Sequence, residues 1–173
     1  MESKRASFEG ALEALGVAVS STPESELEAA VTEAVMEPAV GVGLDETVGD
    51  EAFSLTETPV TVDPTPVALR EAVTGVTGAE LGVGDYGSLV LTMTEQASEL
   101  VSLFVERHVA ILHEEDIQPD MDTAVAELDE WVTETNGSAI IATGPSATAD
   151  MGALVRGAHG PKEVHVIIVE EGA

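Results

Sequence analysis

Apolar positions recur at helical spacing near the start of the chain, where Phe8, Leu12 and Leu15 share a side, and Gly16 stops the turn before a short apolar strand from Val17 to Val19. A second amphipathic run follows. Thr22 is placed to cap it, Pro23 suits its first position, and Leu27, Ala30, Val31, Ala34 and Val35 form one apolar stripe until Pro38 ends it. Ala39 to Leu44 is a near-continuous apolar run, as expected for a strand covered on both faces. After an acidic loop over 45–58, Val60 to Val62 predicts a strand and Thr65 to Val73 a short helix terminated by Gly75. Strand and helix thus alternate through this half of the chain, which favours a mostly parallel sheet flanked by helices.

From Ala79 the rhythm changes. The strand-like runs Ala79 to Gly84 and Ser88 to Met93 are separated only by Asp85-Tyr86-Gly87, which predicts a hairpin and an antiparallel part of the sheet. An apolar segment from Leu100 to Val105 leads to a strand at His108 to Leu112. A helix then opens near Pro119 and Asp122, carries Met121, Val125, Leu128 and Val132 on one face, and stops at Asn136-Gly137. Ser138 to Ala142 and Glu163 to Val169 read as further strands. The expected fold class is α/β with a mixed, mostly parallel sheet. One domain is expected over 1–173, with a helix-and-strand half at 1–74 and a motif-bearing half at 75–173.

Charge changes this picture most. Asp and Glu number 33 against 6 Lys and Arg, a formal net charge of −27, yet 44% of residues are apolar, too many for a disordered acidic tail. Self-repulsion on that scale is relieved when the Debye length falls to roughly 3 Å near 1 M salt, so a halophilic source is expected. No basic stripe exists to neutralise phosphates, so nucleic acid is excluded as a partner. The start, Met1-Glu-Ser-Lys-Arg5, leads into an amphipathic segment, and no apolar run approaches the roughly 18 residues of a membrane span. A cytoplasmic protein is expected. With no cysteine, the chain can supply neither thiol catalysis nor Cys ligands to an iron–sulfur cluster.

Candidate chemistry gathers in the last third. Gly82-Val-Gly84-Asp-Tyr-Gly87 has the letters of a dinucleotide fingerprint, but a strand follows it where that motif needs a helix, and Asp85 would repel phosphate. A tight hairpin, either plain turn or ligand-facing loop through Gly84, Gly87 and Ser88, is the better account. Thr143-Gly144-Pro145-Ser146-Ala-Thr148-Ala-Asp150 lacks the glycine of a nucleophile elbow. Ser146 and Thr148 are expected at a strand-to-helix corner, where hydroxyls and amides cap a helix or bind an anion. Arg156, His159, Lys162 and His165 fall within ten residues, a concentration of basic groups unusual for this chain. Arg156 suits bidentate capture of a carboxylate. His159, between glycines and before Pro161, suits acid–base work, or a structural bond to a carbonyl. Lys162 either serves an anionic ligand or pairs with a surface carboxylate, and His165 reads mainly as a satisfied core histidine. His108 and His113, five apart on a strand, face opposite ways, so no protein-only zinc site is expected.

These residues carry a resemblance to the LUD-domain family, the LutC/YkgG lactate-utilisation proteins. It rests on Gly144-Pro-Ser-Ala-Thr-Ala-Asp150, on Gly157-Ala-His-Gly-Pro-Lys-Glu-Val-His165 and on Val76 to Leu91. The resemblance implies a three-layer α/β/α fold similar to the sugar-phosphate isomerase and CoA-transferase-like (NagB/RpiA) group. It also implies a role beside iron–sulfur oxidoreductase subunits in converting L-lactate to pyruvate, with no cofactor in this chain. Gly84-Asp-Tyr-Gly-Ser88 departs from the relatives' Ala-Asp/Glu-Thr-Gly-Thr loop. The expected site holds a small anionic metabolite. Its catalytic candidates are His159 and Asp85, and its binding candidates are Gly84, Gly87, Ser88, Thr143, Gly144, Pro145, Ser146, Thr148, Asp150, Arg156, Gly160 and His165. A free-standing enzyme on a sugar phosphate or CoA ester, and a non-catalytic binding or assembly module, are the alternatives. A homo-oligomer is compatible with all three.

Overall fold

The computed structural model describes residues 3–44, 54–95, 98–150, 153–157 and 159–170. Helix α1, Lys4–Ala14, is capped by Ser3, whose side chain accepts from the Ala6 N–H, and it buries Phe8 and Leu12 as its spacing requires. Strand β1 runs Ala18–Pro23, longer than predicted. Thr22 is buried in that strand and does not cap a helix. A 3-10 turn, Glu24–Glu26, leads instead into α2, Leu27–Ala34, whose Leu27, Val31 and Ala34 reach the core.

Strands β2 (Ala39–Gly41), β3 (Val60–Val62), β4 (Thr74–Gly78), β7 (Arg107–His113) and β12 (Glu163–Glu170) join β1 in one six-stranded sheet, ordered β1-β12-β7-β4-β2-β3. Every pairing in it is parallel. Helix α3, Pro66–Glu71, is shorter than the predicted run and is capped by Thr65, and Gly75 lies inside β4 rather than ending the helix. Its lack of a side chain serves packing, because a Cβ there would strike the Val101 carbonyl of α4, Ser98–Leu103. The glycine lets α4 lie against the sheet.

The antiparallel portion is a separate, mixed sheet. Strands β5 (Leu81–Val83) and β6 (Ser88–Thr92) form the predicted hairpin, β8 (Ile117–Gln118) pairs parallel with β5, and β9 (Ala139–Thr143) pairs antiparallel with β6. Helix α5, Met121–Thr135, begins at an Asp120 cap and stops at left-handed Asn136. Ala124 is its buried residue, whereas Val125 and Val132 of the predicted stripe stay exposed.

The parallel sheet separates two apolar layers. On one face Val76, Val109, Ile111, Ile167 and Val169 pack with α2. On the other Ala110, Leu112, Val164, Val166 and Ile168 pack with Phe8 and Leu12 of α1 and with Leu89 and Leu91 of the second sheet. Strand alternation therefore decides which layer each side chain serves.

The stretch after Ser146 corrects the sequence reading most. Instead of a helix it forms a hairpin, β10 (Ala147–Asp150) with β11 (Ala153–Arg156). A four-residue strand rich in Leu and Val has no room for a helical stripe, and pairing satisfies its amides without one.

Candidate functional site

The two Gly-Pro corners meet. Gly144, which leaves β9 with φ of +67°, turns the chain in the left-handed region that glycine enters freely. The next residues come to rest against the segment entering β12. The Ser146 N–H donates to the Pro161 carbonyl at 2.9 Å, the Gly157 N–H donates to the Ser146 carbonyl at 2.8 Å, and the His159 N–H donates to Ser146 Oγ at 3.2 Å. Ser146 is thus the hinge pin of the corner, and these amides satisfy one another rather than pointing at a ligand. The described residues that follow form a hairpin, so these amides do not open a helix as the strand-to-helix reading expected.

Beside the joined corners lies a cavity of about 350 Å³. Thr143, Gly144, Pro145, Ser146, His159 and Gly160 line it on the corner side, with Gly87 from the hairpin turn. Leu12, Val17, Leu89, Leu91, Ile140 and Val164 supply apolar wall, and Ser102, Leu103 and His108 complete it from α4 and β7. The hollow sits at the amino ends of β7 and β12 and the carboxyl end of β9, whereas ligands of open parallel sheets usually sit at carboxyl ends.

The polar groups differ in their freedom. Thr143 Oγ1 shares a 2.7 Å hydrogen bond with Ser88 Oγ, so Ser88 orients a lining hydroxyl without lining the cavity itself. His159 is solvent-exposed beside the opening. His108 is 3% exposed, its Nε2 lies 2.8 Å from Thr77 Oγ1, and burial pushes its pKa down to about 4. It is therefore a neutral imidazole at physiological pH. Sequence reading weighed His108 only as a metal ligand and missed it here, with Ser102. A histidine opening a run of buried residues was the available signal.

Other candidates fall elsewhere. Asp85 is exposed on the hairpin turn and Gly84 gives its N–H to the Gln118 carbonyl at 2.7 Å; neither lines the cavity. Thr148, Asp150 and Arg156 lie in the β10–β11 hairpin, with Arg156 across from Ala147, a cavity residue; their side chains lie outside the described part of the structure. His165 faces the opposite side of the parallel sheet from its neighbour Val164. There its Nε2 lies 2.8 Å from Ser20 Oγ and its Nδ1 3.3 Å from Arg107 Nη2. Burial first, and the Arg107 charge second, hold its pKa below the usual value. Lys162 pairs with Glu106 at 2.9 Å on the surface, the plainer of its two readings. Among the described residues no group of three or more His, Asp or Glu is placed to hold a metal ion.

Comparison with known proteins agrees with this architecture. Residues 6–169 match the model of the LUD domain. The chain is 33% identical over 108 residues to lactate utilization protein C of Bacillus licheniformis, an alignment covering 59% of this chain and 44% of that protein. It is likewise 33% identical over 106 residues to lactate utilization protein C of Bacillus velezensis, with the same coverage. The matched stretch thus spans less than half the length of these relatives. A crystal structure of a DUF162 family protein from Deinococcus radiodurans superposes with a TM-score of 0.72 over 96% of both chains at 18% identity, a likeness of fold. No helix among the described residues is long and apolar enough to cross a membrane. With the domain match covering nearly all of the chain, this protein belongs to the LUD domain family.

Proposed function

We propose that this LUD-domain protein takes part in oxidising L-lactate or a related 2-hydroxy acid to the 2-oxo acid, within a system whose iron–sulfur subunits accept the electrons. The likeness to two lactate utilization proteins supports the pathway, and the cavity at the joined Gly-Pro corners carries the site. In this reading the hydroxyls of Ser146 and Thr143, with the guanidinium of Arg156, hold the carboxylate. The His159 imidazole takes the proton of the substrate hydroxyl. Oxidation at the carbon bearing that hydroxyl would release a second proton to solvent and two electrons, which iron–sulfur clusters on partner subunits would accept, since this cysteine-free chain offers them no Cys ligands. The acidic composition suits work in concentrated salt, where screening lets an anion approach a chain of net charge −27.

A thermal-shift comparison in molar KCl tests the assignment. Lactate or pyruvate at one hundred times its dissociation constant should add about 2.7 kcal/mol of stability, and His159→Ala with Arg156→Ala should abolish the shift. Stabilisation by sugar phosphates or CoA esters, with none by any hydroxy or oxo acid, would overturn it.

A further inference from the structure

The cavity is larger and less charged than lactate requires. Lactate is no bulkier than roughly three or four waters at about 30 Å³ each, so it fills only about a third of the 350 Å³ available. Apolar atoms supply somewhat over half of the cavity surface, with Leu12, Leu89, Leu91, Ile140 and Val164 among the residues that line it. Among the described lining residues there is no Asp, Glu, Lys or Arg, although the chain carries 33 acidic residues. Neighbouring hollows differ: Glu9 and Glu13 line one, and Glu26, Glu33 and Arg107 another. His108 adds no charge either, being neutral near pH 7. A small, strongly hydrated anion would leave most of this apolar wall in contact with trapped water, at a free-energy cost that an apolar substituent removes.

We propose that the cavity selects 2-hydroxy acids, or their 2-oxo products, that carry an extended apolar side chain, the carboxyl end meeting Ser146 and His159 and the hydrocarbon lying against Leu89, Leu91 and Val164. This rests on the reading of the corner as a hydroxy-acid site and names the part of the substrate class that fits. Leu103, 39% exposed, and Ile141, 42% exposed, stand at the solvent side of the lining, where bulk can be added without disturbing the core.

Calorimetric titration of the full chain in 2 M KCl with lactate, 2-hydroxybutanoate, 2-hydroxyhexanoate and hexanoate tests the proposal. Each methylene buried is worth roughly fourfold in affinity (about 0.8 kcal/mol), so 2-hydroxyhexanoate should bind about sixty-fold more tightly than lactate. Leu103→Trp should fill the space and flatten that slope. Ile141→Phe serves the same end should the first variant fail to fold. Lactate binding with no gain along the series overturns the side-chain inference and leaves the hydroxy-acid reading intact. Hexanoate binding as tightly as 2-hydroxyhexanoate overturns both, as does the absence of binding by every acid. A chain-length slope that survives the filled cavity places the acids elsewhere and overturns the proposal.

Discussion

One register step apart on the paired strands β7 and β12, two histidines point to opposite faces of the parallel sheet and are put to different uses. On one, His108 sits against the cavity, nearly out of reach of solvent, with Thr77 as its hydrogen-bonded neighbour. On the other, half-buried His165 belongs to a polar chain. Arg107 donates from Nε to the Ala34 carbonyl at 2.9 Å, reaches Glu163 at 2.6 Å and approaches His165, which in turn meets Ser20. An Arg107 donor makes His165 Nδ1 an acceptor, so Nε2 carries the proton and donates to Ser20. Both imidazoles are held neutral, one by burial and the other by burial with a cation beside it. Nearness in sequence does not make a site: His159 and His165 are six residues apart, yet only the former lines the cavity.

The largest way to break the cavity face is to push α4 off it. Gly75→Val places a branched side chain against the Val101 backbone and should cost at least about 3 kcal/mol, displacing Ser102 and Leu103 from the lining. Urea unfolding measures the loss; a variant of unchanged midpoint would mean that α4 is free to move.

Acid comes next. His108 has a folded pKa of about 4 against its usual 6.5, so between those values the unfolded chain binds the extra proton and the native state does not. Its contribution is intact above about pH 6.5 and declines as pH falls towards 4, a loss of roughly 3 kcal/mol in total. Comparing His108→Gln with the parent across this range should show a flatter stability profile for the variant. Equal slopes would show that His108 is not the buried titrating group.

Replacing Arg107 with Met tests the other face. It removes a charged donor from the Ala34 carbonyl and should cost about 1–2 kcal/mol. It should also raise the His165 pKa, because a repelling cation leaves, and an NMR titration reads that directly. An unmoved His165 would detach it from Arg107.

The sequence made β2, β7 and β12 legible because strands covered on both faces are continuous apolar runs, whereas β4, between β7 and β2, was missed because Gly75, Thr77 and Gly78 interrupt its apolar pattern. The β5–β6 hairpin was equally plain from Asp85-Tyr86-Gly87. Misreadings came where local chemistry served two structures. Thr22-Pro23 looks like a helix start yet ends a strand, since strand pairing with β12 outweighs the cap. Ser146 and Thr148 resemble helix caps, but the chain beyond them pairs with itself. The gathering of Gly144-Pro145 and Gly160-Pro161 in one polar stretch of the chain was legible, although the ends they join belong to strands of different sheets, and that junction followed from no pairing pattern. That His108 and Ser102 join them was not legible, because it depends on how closely α4 packs on Gly75, a tertiary distance no spacing encodes.

The smallest effect separates scarcity from importance. Lysine is rare here, which made Lys162 look purposeful, yet its ammonium meets Glu106 with the two side chains 53% and 63% exposed. In that setting attraction is weak, two long side chains must be held still, and salt screens what remains. A double-mutant cycle with Lys162→Met and Glu106→Gln should give a coupling below about 1 kcal/mol at low salt, vanishing near 1 M KCl. Lys162 also lies over Gly157, where a Cβ would strike its side-chain stem, so Lys162→Met preserves that cover while removing the charge. A coupling that persists in molar salt would mean the pair is shielded by a neighbour on that face, and the contrast between a cavity whose described lining residues include no Asp, Glu, Lys or Arg and its charged surroundings would then extend to the cavity's rim.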